Sequence, residues 1–266
     1  MSPVPVIIAF YREHQKLRRC LEHLRAQTYP ELSVFVRDNT EDNILFTAAV
    51  NEGLKKFCYD PQYRYVAVLN QDAYLAADAL RVLIDFMERH PKVGVACPLQ
   101  LNEHGQVTSG GSLQAFPFGV HRRDPLHIYR EPFETPWGNG AALLIRTAVV
   151  HEIGVFDGNM RFICSDADFT LSARARGWRV FVVPEARCLH SLSSSAASDP
   201  ELDLIKLRDA IYFAKKWVSG GLFSALSHEG PTLTRTGIRL EIDRMERQLS
   251  HIERAHAPSH QPHEPR

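Results

Sequence analysis

Alternating strand and helix signals over the first hundred residues predict an α/β fold, an open and mostly parallel sheet with helices on both faces. A chain of 266 residues with 44% hydrophobic content can bury the core of such a sheet without a metal or disulfide staple. Polar residues recur wherever a strand pattern stops, and that edge is where ligands bind in these sheets.

The elements follow in order. Val4–Ala9 is apolar and β-branched, as a strand covered on both faces should be. Leu17, Leu21 and Leu24 repeat at helical spacing, with Arg18, Arg19, Glu22 and Arg25 on the other face. Leu32–Val36 predicts a second strand ending at Asp38-Asn39-Thr40, and Asn43–Cys58 a helix. Tyr65–Leu69 predicts a third strand ending at Asn70-Gln71-Asp72. Leu80, Leu83, Ile84 and Met87 mark another amphipathic helix before the strand Val93–Ala96. Asp and Asn after a strand are also ordinary turn formers and caps. Their recurrence at successive strand ends, two of them carrying Asp, brings a binding role level with that reading.

Glycines and prolines punctuate Leu99–Pro136, which predicts hairpins and a long surface loop able to contact substrate. Apolar character resumes over Trp137–Ile145. Ser165-Asp166-Ala167-Asp168 opens a helix, where carboxylates also serve free N–H groups and the dipole. Arg179–Val183 reads as a strand stopped by Pro184, with His190 and a Ser-rich run beyond it. Leu202–Trp217 is helical, with Leu204, Leu207, Ile211 and Ala214 on one face. Ile238, Ile242, Met245, Leu249 and Ile252 form a short seam, better suited to docking on its own chain than to a dimer zipper. The His- and Pro-rich tail, residues 255–266, is expected to be disordered. The expected division is a domain over 1–198, a helical extension over 199–254, and that tail.

With 31 basic and 31 acidic side chains the chain lacks the basic surface of a nucleic-acid binder. Arg supplies 24 of those cations, so bidentate contacts to phosphate remain open at particular sites. No apolar run approaches membrane-span length and no basic region precedes an apolar N-terminal stretch, so a cytoplasmic protein without a signal peptide is expected. Five cysteines without a CxxC pair fit a reducing compartment. The absence of glycine from Ala9–Gln15 disfavours a sugar-1-phosphate nucleotidyltransferase and a dinucleotide-binding dehydrogenase, whose phosphate loops follow the first strand.

A series of segments, in order, resembles the family 2 glycosyltransferases of the GT-A fold, in particular the bacterial rhamnosyltransferase-like group. Val6–Arg12 is similar to the family's first strand and Thr-Tyr-Asn turn, and Asp38-Asn39 to the pair after the second strand. Asn43–Gly53 resembles the Asn-x-Gly-Phe stretch, and Asn70-Gln71-Asp72 the Asp-x-Asp metal motif. Trp137-Gly138-Asn139-Gly140 resembles the acceptor-side segment. Gly154–Asp157, Ser165–Phe169 and Arg176–Trp178 follow the family's Gly-Phe-Asp, Glu-Asp-x-Asp-Leu and Gly-Trp order. The likeness spans Val4–Trp217 and implies a Rossmann-like nucleotide-binding half.

The resemblance implies inverting transfer from a nucleoside-diphosphate sugar, dTDP-rhamnose first, with UDP- and GDP-sugars as alternatives. The acceptor is a hydroxyl on a bacterial surface glycan or lipid-linked precursor, reached in the cytoplasm or at the inner membrane face by a monomer or homodimer. Asp166 takes the place of the catalytic base. Phe10, Tyr11, Arg12, Asp38, Asn70 and Gln71 fall on the nucleotide-sugar side, with Asp38 accepting from the base and Tyr11 packing beside it. Trp137, Asn139 and Gly140 fall on the acceptor side, and Asp72 and His190 hold Mg²⁺ or Mn²⁺. Ser165 stands where the family has Glu, Phe10 where it has a smaller residue, Arg12 where it has Asn, and Leu45 where it has Gly. The Ser165 departure keeps a non-catalytic nucleotide-sugar binder as the alternative.

Overall fold

A computed structural model describes residues 2–114, 116, 119–191, 199–219 and 234–256. Strands β1 (Val4–Phe10), β2 (Leu32–Asp38) and β3 (Tyr65–Asn70) lie parallel, in the order β2-β1-β3. Helices α1 (His14–Arg25) and α2 (Leu45–Phe57) connect them. Then come β4 (Tyr74–Leu75), α3 (Ala79–Arg89) and β5 (Val93–Leu101). The region read as hairpins and loop holds four short strands: β6 (Val107–Ser109), β7 (Ser112–Gln114), β8 (Val120–His121) and β9 (Phe133–Glu134). β10 (Ala142–Arg146), α4 (Thr147–Ile153), α5 (Ser165–Ala175), β11 (Arg179–Leu189), α6 (Pro200–Ser219) and α7 (Arg235–His256) complete the chain.

β10 enters antiparallel between β3 and β5, with β11 parallel to β5 beyond it. Side-chain alternation divides the core between the two faces of the sheet. Val6 and Ile8 of β1 pack with Leu24 of α1 and Leu83 of α3, while Ile7 packs with Leu54 of α2 and Phe169 of α5. α2 lies so close to β1 that a Cβ on Gly53 would stand 2.6 Å from Ile7. A third cluster joins Ala167 and Leu171 of α5 to Phe213 and Trp217 of α6 and to Ile238, Ile242 and Met245 of α7. The α7 seam therefore docks on its own chain. Each such fully buried side chain contributes about 1.5–3 kcal/mol.

Two expectations are corrected. β11 does not stop at Pro184 but continues to Leu189, because a register shift between Val183 and Arg187 carries the residue that lacks an N–H. That continuation brings His190 beside Asp72, behind the cavity wall and not among its lining residues. α7 continues to His256, so residues 255 and 256 are helical where disorder was expected, and residues 257–266, the rest of the expected tail, lie outside the described residues. The Ser-rich run after Ser191 does too.

Candidate active site

A cavity of about 700 Å³ opens at the carboxyl ends of β1, β2 and β3. Tyr11, Asn39, Asn70, Gln71 and Asp72 line it from those strand ends. Because β10 runs antiparallel, with Ala142 paired to Leu69, its leading residues Asn139–Ala141 arrive at the same edge. The Asn70 N–H donates to the Ala141 carbonyl at 2.9 Å and ties the two together.

Asp166 lies in this lining, at the first turn of α5. Its Oδ2 accepts the Gly140 N–H at 2.7 Å and its Oδ1 the Ala167 N–H at 2.8 Å. Burial raises its pKa, with these backbone donors opposing the shift. The result is a fixed carboxylate more basic than an exposed Asp. Cys164 also lines the cavity, but burial, with Asp166 and two other carboxylates nearby, pushes its thiol well up. It is not poised as a nucleophile.

Asp72 and His190 come together across the sheet. His190 Nε2 stands 3.6 Å from Asp72 Oδ1, and Lys16 Nζ is 4.0 Å from the other carboxylate oxygen. His190 Nδ1 faces Gln100 Oε1 at 3.0 Å. An amide oxygen only accepts, so this contact is a hydrogen bond when Nδ1 carries the proton, the tautomer that turns the Nε2 lone pair toward the carboxylate. One imidazole nitrogen and one hard oxygen converging this way fit a divalent cation. Among the described residues no cluster of three or more His, Cys, Asp or Glu is placed to hold one. The protein side of such a centre is this pair.

The remaining site residues divide. Arg12 lines the cavity in a left-handed conformation, φ 58, with its guanidinium 4.7 Å from the Tyr11 ring centroid. Gln71 spends its amide on the Tyr11 backbone, accepting from N–H at 2.8 Å and donating to the carbonyl at 3.2 Å. It thereby splints the ends of β1 and β3. Phe10 is buried against His14 and is not among the lining residues. Asp38 is likewise outside the lining, exposed, and accepts the Thr40 N–H at 2.8 Å. Its neighbour Asn39 is the residue of that pair that reaches the cavity. Trp137, Asn139 and Gly140, expected on the acceptor side, all line the cavity, and Asn139 Oδ1 accepts the Ala141 N–H at 2.9 Å.

Two departures from the family pattern find physical reasons. Leu45 adopts φ 67, the left-handed region that suits Gly. Ser165 is buried and bonded to Thr47 of α2 at 2.8 Å, not turned into the cavity.

Other functional positions were not read from the sequence. His121 of β8 lines the cavity, packs against Trp137 with the rings tilted at 56° and their centroids 5.1 Å apart, and lies 3.4 Å from Asn139 Nδ2. Burial, then the charge of Arg123, lowers its pKa to about 4, so it is neutral at physiological pH. It falls in the Gly- and Pro-punctuated stretch, where no period marks it. Asp209 of α6 accepts the Phe162 and Ile163 N–H groups at 2.7 and 3.0 Å, holding the turn that bears both cavity residues. A charged residue between Ile205 and Phe213 on an apolar face was the available signal. Asp168 does not serve the helix start: its oxygens accept from Lys216 Nζ at 2.8 Å and Trp217 Nε1 at 2.9 Å.

A family model described as glycosyl transferase family group 2 matches residues 65–249. An N-acetylglucosaminyl-diphospho-decaprenol L-rhamnosyltransferase of Mycobacterium tuberculosis is 25% identical over 253 residues, 79% of this chain and 82% of the relative. The O-antigen biosynthesis protein RfbC of Myxococcus xanthus is 26% identical over 234 residues, 75% of this chain but 18% of that protein. Among solved structures, the mannosyltransferase PcManGT of Pyrobaculum calidifontis, in complex with GDP-Man and Mn²⁺, superposes with TM-score 0.58 at 15% identity. The alignment covers 97% of this chain and 76% of that one. TarS of S. aureus gives TM-score 0.57 at 15% identity over 88% of this chain and 44% of that one. The fold is therefore shared with GT-A glycosyltransferases.

Proposed function

Because this chain belongs to glycosyl transferase family group 2, and is a glycosyltransferase, we propose that its cavity moves a sugar from a nucleoside diphosphate to an acceptor hydroxyl with inversion. The observation that carries the mechanism is one fixed, desolvated carboxylate, Asp166, lining the same cavity as Asp72. Asp166 takes the acceptor proton as the acceptor oxygen bonds to the anomeric carbon. The bond from that carbon to the diphosphate oxygen breaks, and the leaving group departs with the electron pair. One carboxylate base and no enzyme nucleophile imply a single displacement, hence inversion.

Asp72 and His190 are the residues that would hold Mg²⁺ or Mn²⁺, which when bound offsets charge gathering on the departing diphosphate. Tyr11, Arg12 and Asn70 form the donor side, with Gln71 as their splint. Trp137, Asn139 and Gly140 form the acceptor side. The relatives named as a rhamnosyltransferase and an O-antigen biosynthesis protein support dTDP-rhamnose as first donor and a glycan or lipid-linked acceptor. Among the described residues no helix is long and apolar enough to cross a membrane. We place the reaction on the cytoplasmic side, with a lipid-linked acceptor met at the membrane face.

The test is purified protein with dTDP-, UDP- and GDP-sugars, Mn²⁺ and a GlcNAc-diphospho-lipid acceptor, with product configuration read by NMR. Transfer with retained configuration would sink the mechanism, and full transfer in excess chelator would remove the cation from it. Binding of nucleotide sugar without transfer to any acceptor would favour the non-catalytic binder.

A further inference from the structure

We infer that Gln100 is a positioning residue that fixes the proton of His190 on Nδ1 and so keeps Nε2 open for a divalent cation beside Asp72. The capture role rests on the cation reading of Asp72 and His190 given above; the placement of the proton does not.

The backbone on both sides of His190 is already fixed. β11 pairs with β5 in parallel register, Cys188 opposite Gln100 and Leu189 opposite Leu101. The His190 N–H continues that ladder to the Leu101 carbonyl at 2.8 Å, and the Thr108 hydroxyl donates to the His190 carbonyl at 2.8 Å. What remains to be decided is which ring nitrogen carries the proton. His190 has two candidate acceptors, Gln100 Oε1 at 3.0 Å from Nδ1 and Asp72 Oδ1 at 3.6 Å from Nε2. A neutral imidazole has one N–H and satisfies only one of them.

Distance and burial favour Gln100. The 3.0 Å contact is an ordinary hydrogen bond and the 3.6 Å contact is beyond one. Gln100 is 1% exposed and His190 6%, so water is a poor substitute for either if that bond is given up. With the proton on Nδ1, an imidazole lone pair and a carboxylate face each other, an arrangement that favours a cation between them. Without the Gln100 acceptor the proton is free to move to Nε2 and donate to Asp72. The two ligands would then close on each other and compete with the ion. Ligand histidines are generally oriented through their other nitrogen in this way, and losing such a partner costs ~10–100-fold in metal affinity.

Gln100→Met keeps length and removes the acceptor, while Gln100→Glu keeps the acceptor. The full chain is labelled with ¹⁵N-histidine, and the His190 ring is assigned by its loss from a His190→Gln spectrum. In the metal-free protein we expect the proton on Nδ1, moved to Nε2 by Gln100→Met and returned by Gln100→Glu. In parallel, Mn²⁺ with dTDP, followed by electron paramagnetic resonance, should bind ~10–100-fold more weakly to Gln100→Met, with most affinity recovered in Gln100→Glu. A wild-type His190 protonated on Nε2 overturns the inference without any variant needing to fold. So does a folded Gln100→Met protein with the wild-type tautomer and Mn²⁺ affinity. A tautomer that follows Gln100 in a chain that binds no Mn²⁺ at all overturns the cation reading and the capture role with it.

Discussion

Tyr11, Asn39 and Asn70 each sit at or just past the end of a strand of the parallel sheet. Trp137, Phe162 and Asp166, which line the same cavity, hang instead from a loop, a turn and the start of a helix. The first group is set by β-ladder register, so its geometry follows wherever the sheet forms. The second depends on side chains far away in sequence: Asp209 grips the 162–163 backbone, and Lys216 and Trp217 grip Asp168 within α5. Chemistry placed on the second group is therefore easier to disturb from a distance.

The largest effect should come from the carboxylate itself. Asp166→Asn is expected to slow transfer ~10²–10⁴-fold, the usual contribution of a general base, while nucleotide-diphosphate binding stays near the parent value. Since burial raises the Asp166 pKa, the acid limb of the parent kcat/KM profile should fall above the ordinary Asp value of about 3.9. Its protonated form cannot accept the acceptor's proton, so activity is lost as pH falls through that raised pKa. A limb at or below about 3.9 would contradict the assignment.

Gly140→Ala should come next. A Cβ there would lie 3.0 Å from both the Cβ and Oδ2 of Asp166, so the base must shift or Gly140 must retreat. Displacement of this kind lowers kcat by up to ~10²-fold. Steady-state kinetics should show kcat falling more than donor affinity. An unchanged kcat would mean this wall yields more than its packing suggests.

Asp209→Ala tests whether α6 holds the site. Two backbone N–H groups lose a carboxylate acceptor that is 2% exposed. A stability loss of about 2–3 kcal/mol in urea unfolding is expected, together with weakened substrate binding. Loss of stability with unaltered kinetics in the folded fraction would confine Asp209 to a structural part.

The smallest effect is expected from Leu45→Gly, at the first residue of α2. Leu45 packs at 7% exposure in a left-handed conformation that costs roughly 1–3 kcal/mol for a residue with a Cβ. Leu45→Gly gives up burial but releases that cost, so it should be nearly neutral. Leu45→Ala gives up burial and keeps it, so it should lose about 2–3 kcal/mol. Glycine proving worse than alanine would remove strain from the account.

Strand periods and their polar ends were legible because both are local. The apolar run of β1 and the β3 run ending at Asn70-Gln71-Asp72 need only neighbouring residues. Pro184 misled because a single residue signals a stop, whereas the ladder between β5 and β11 tolerates a bulge and resumes. His121, Asp209 and Gln100 carried no local period pointing to the cavity.

The resemblance to family 2 glycosyltransferases pointed to Asp166, Asp72 and His190; from the amino-acid sequence by itself came the α/β class and the order of its first elements. Those depend on periodicity and side-chain chemistry, which one chain displays by itself. Only the tertiary structure decided which of those side chains face the cavity. Gln71 turned to the Tyr11 backbone, Asp38 turned outward, Ser165 paired with Thr47 across 118 residues, and Gln100 came to lie behind His190 across 90. Orientation is fixed by whichever hydrogen-bond partner the fold brings within about 3 Å, and most of those partners are remote in sequence.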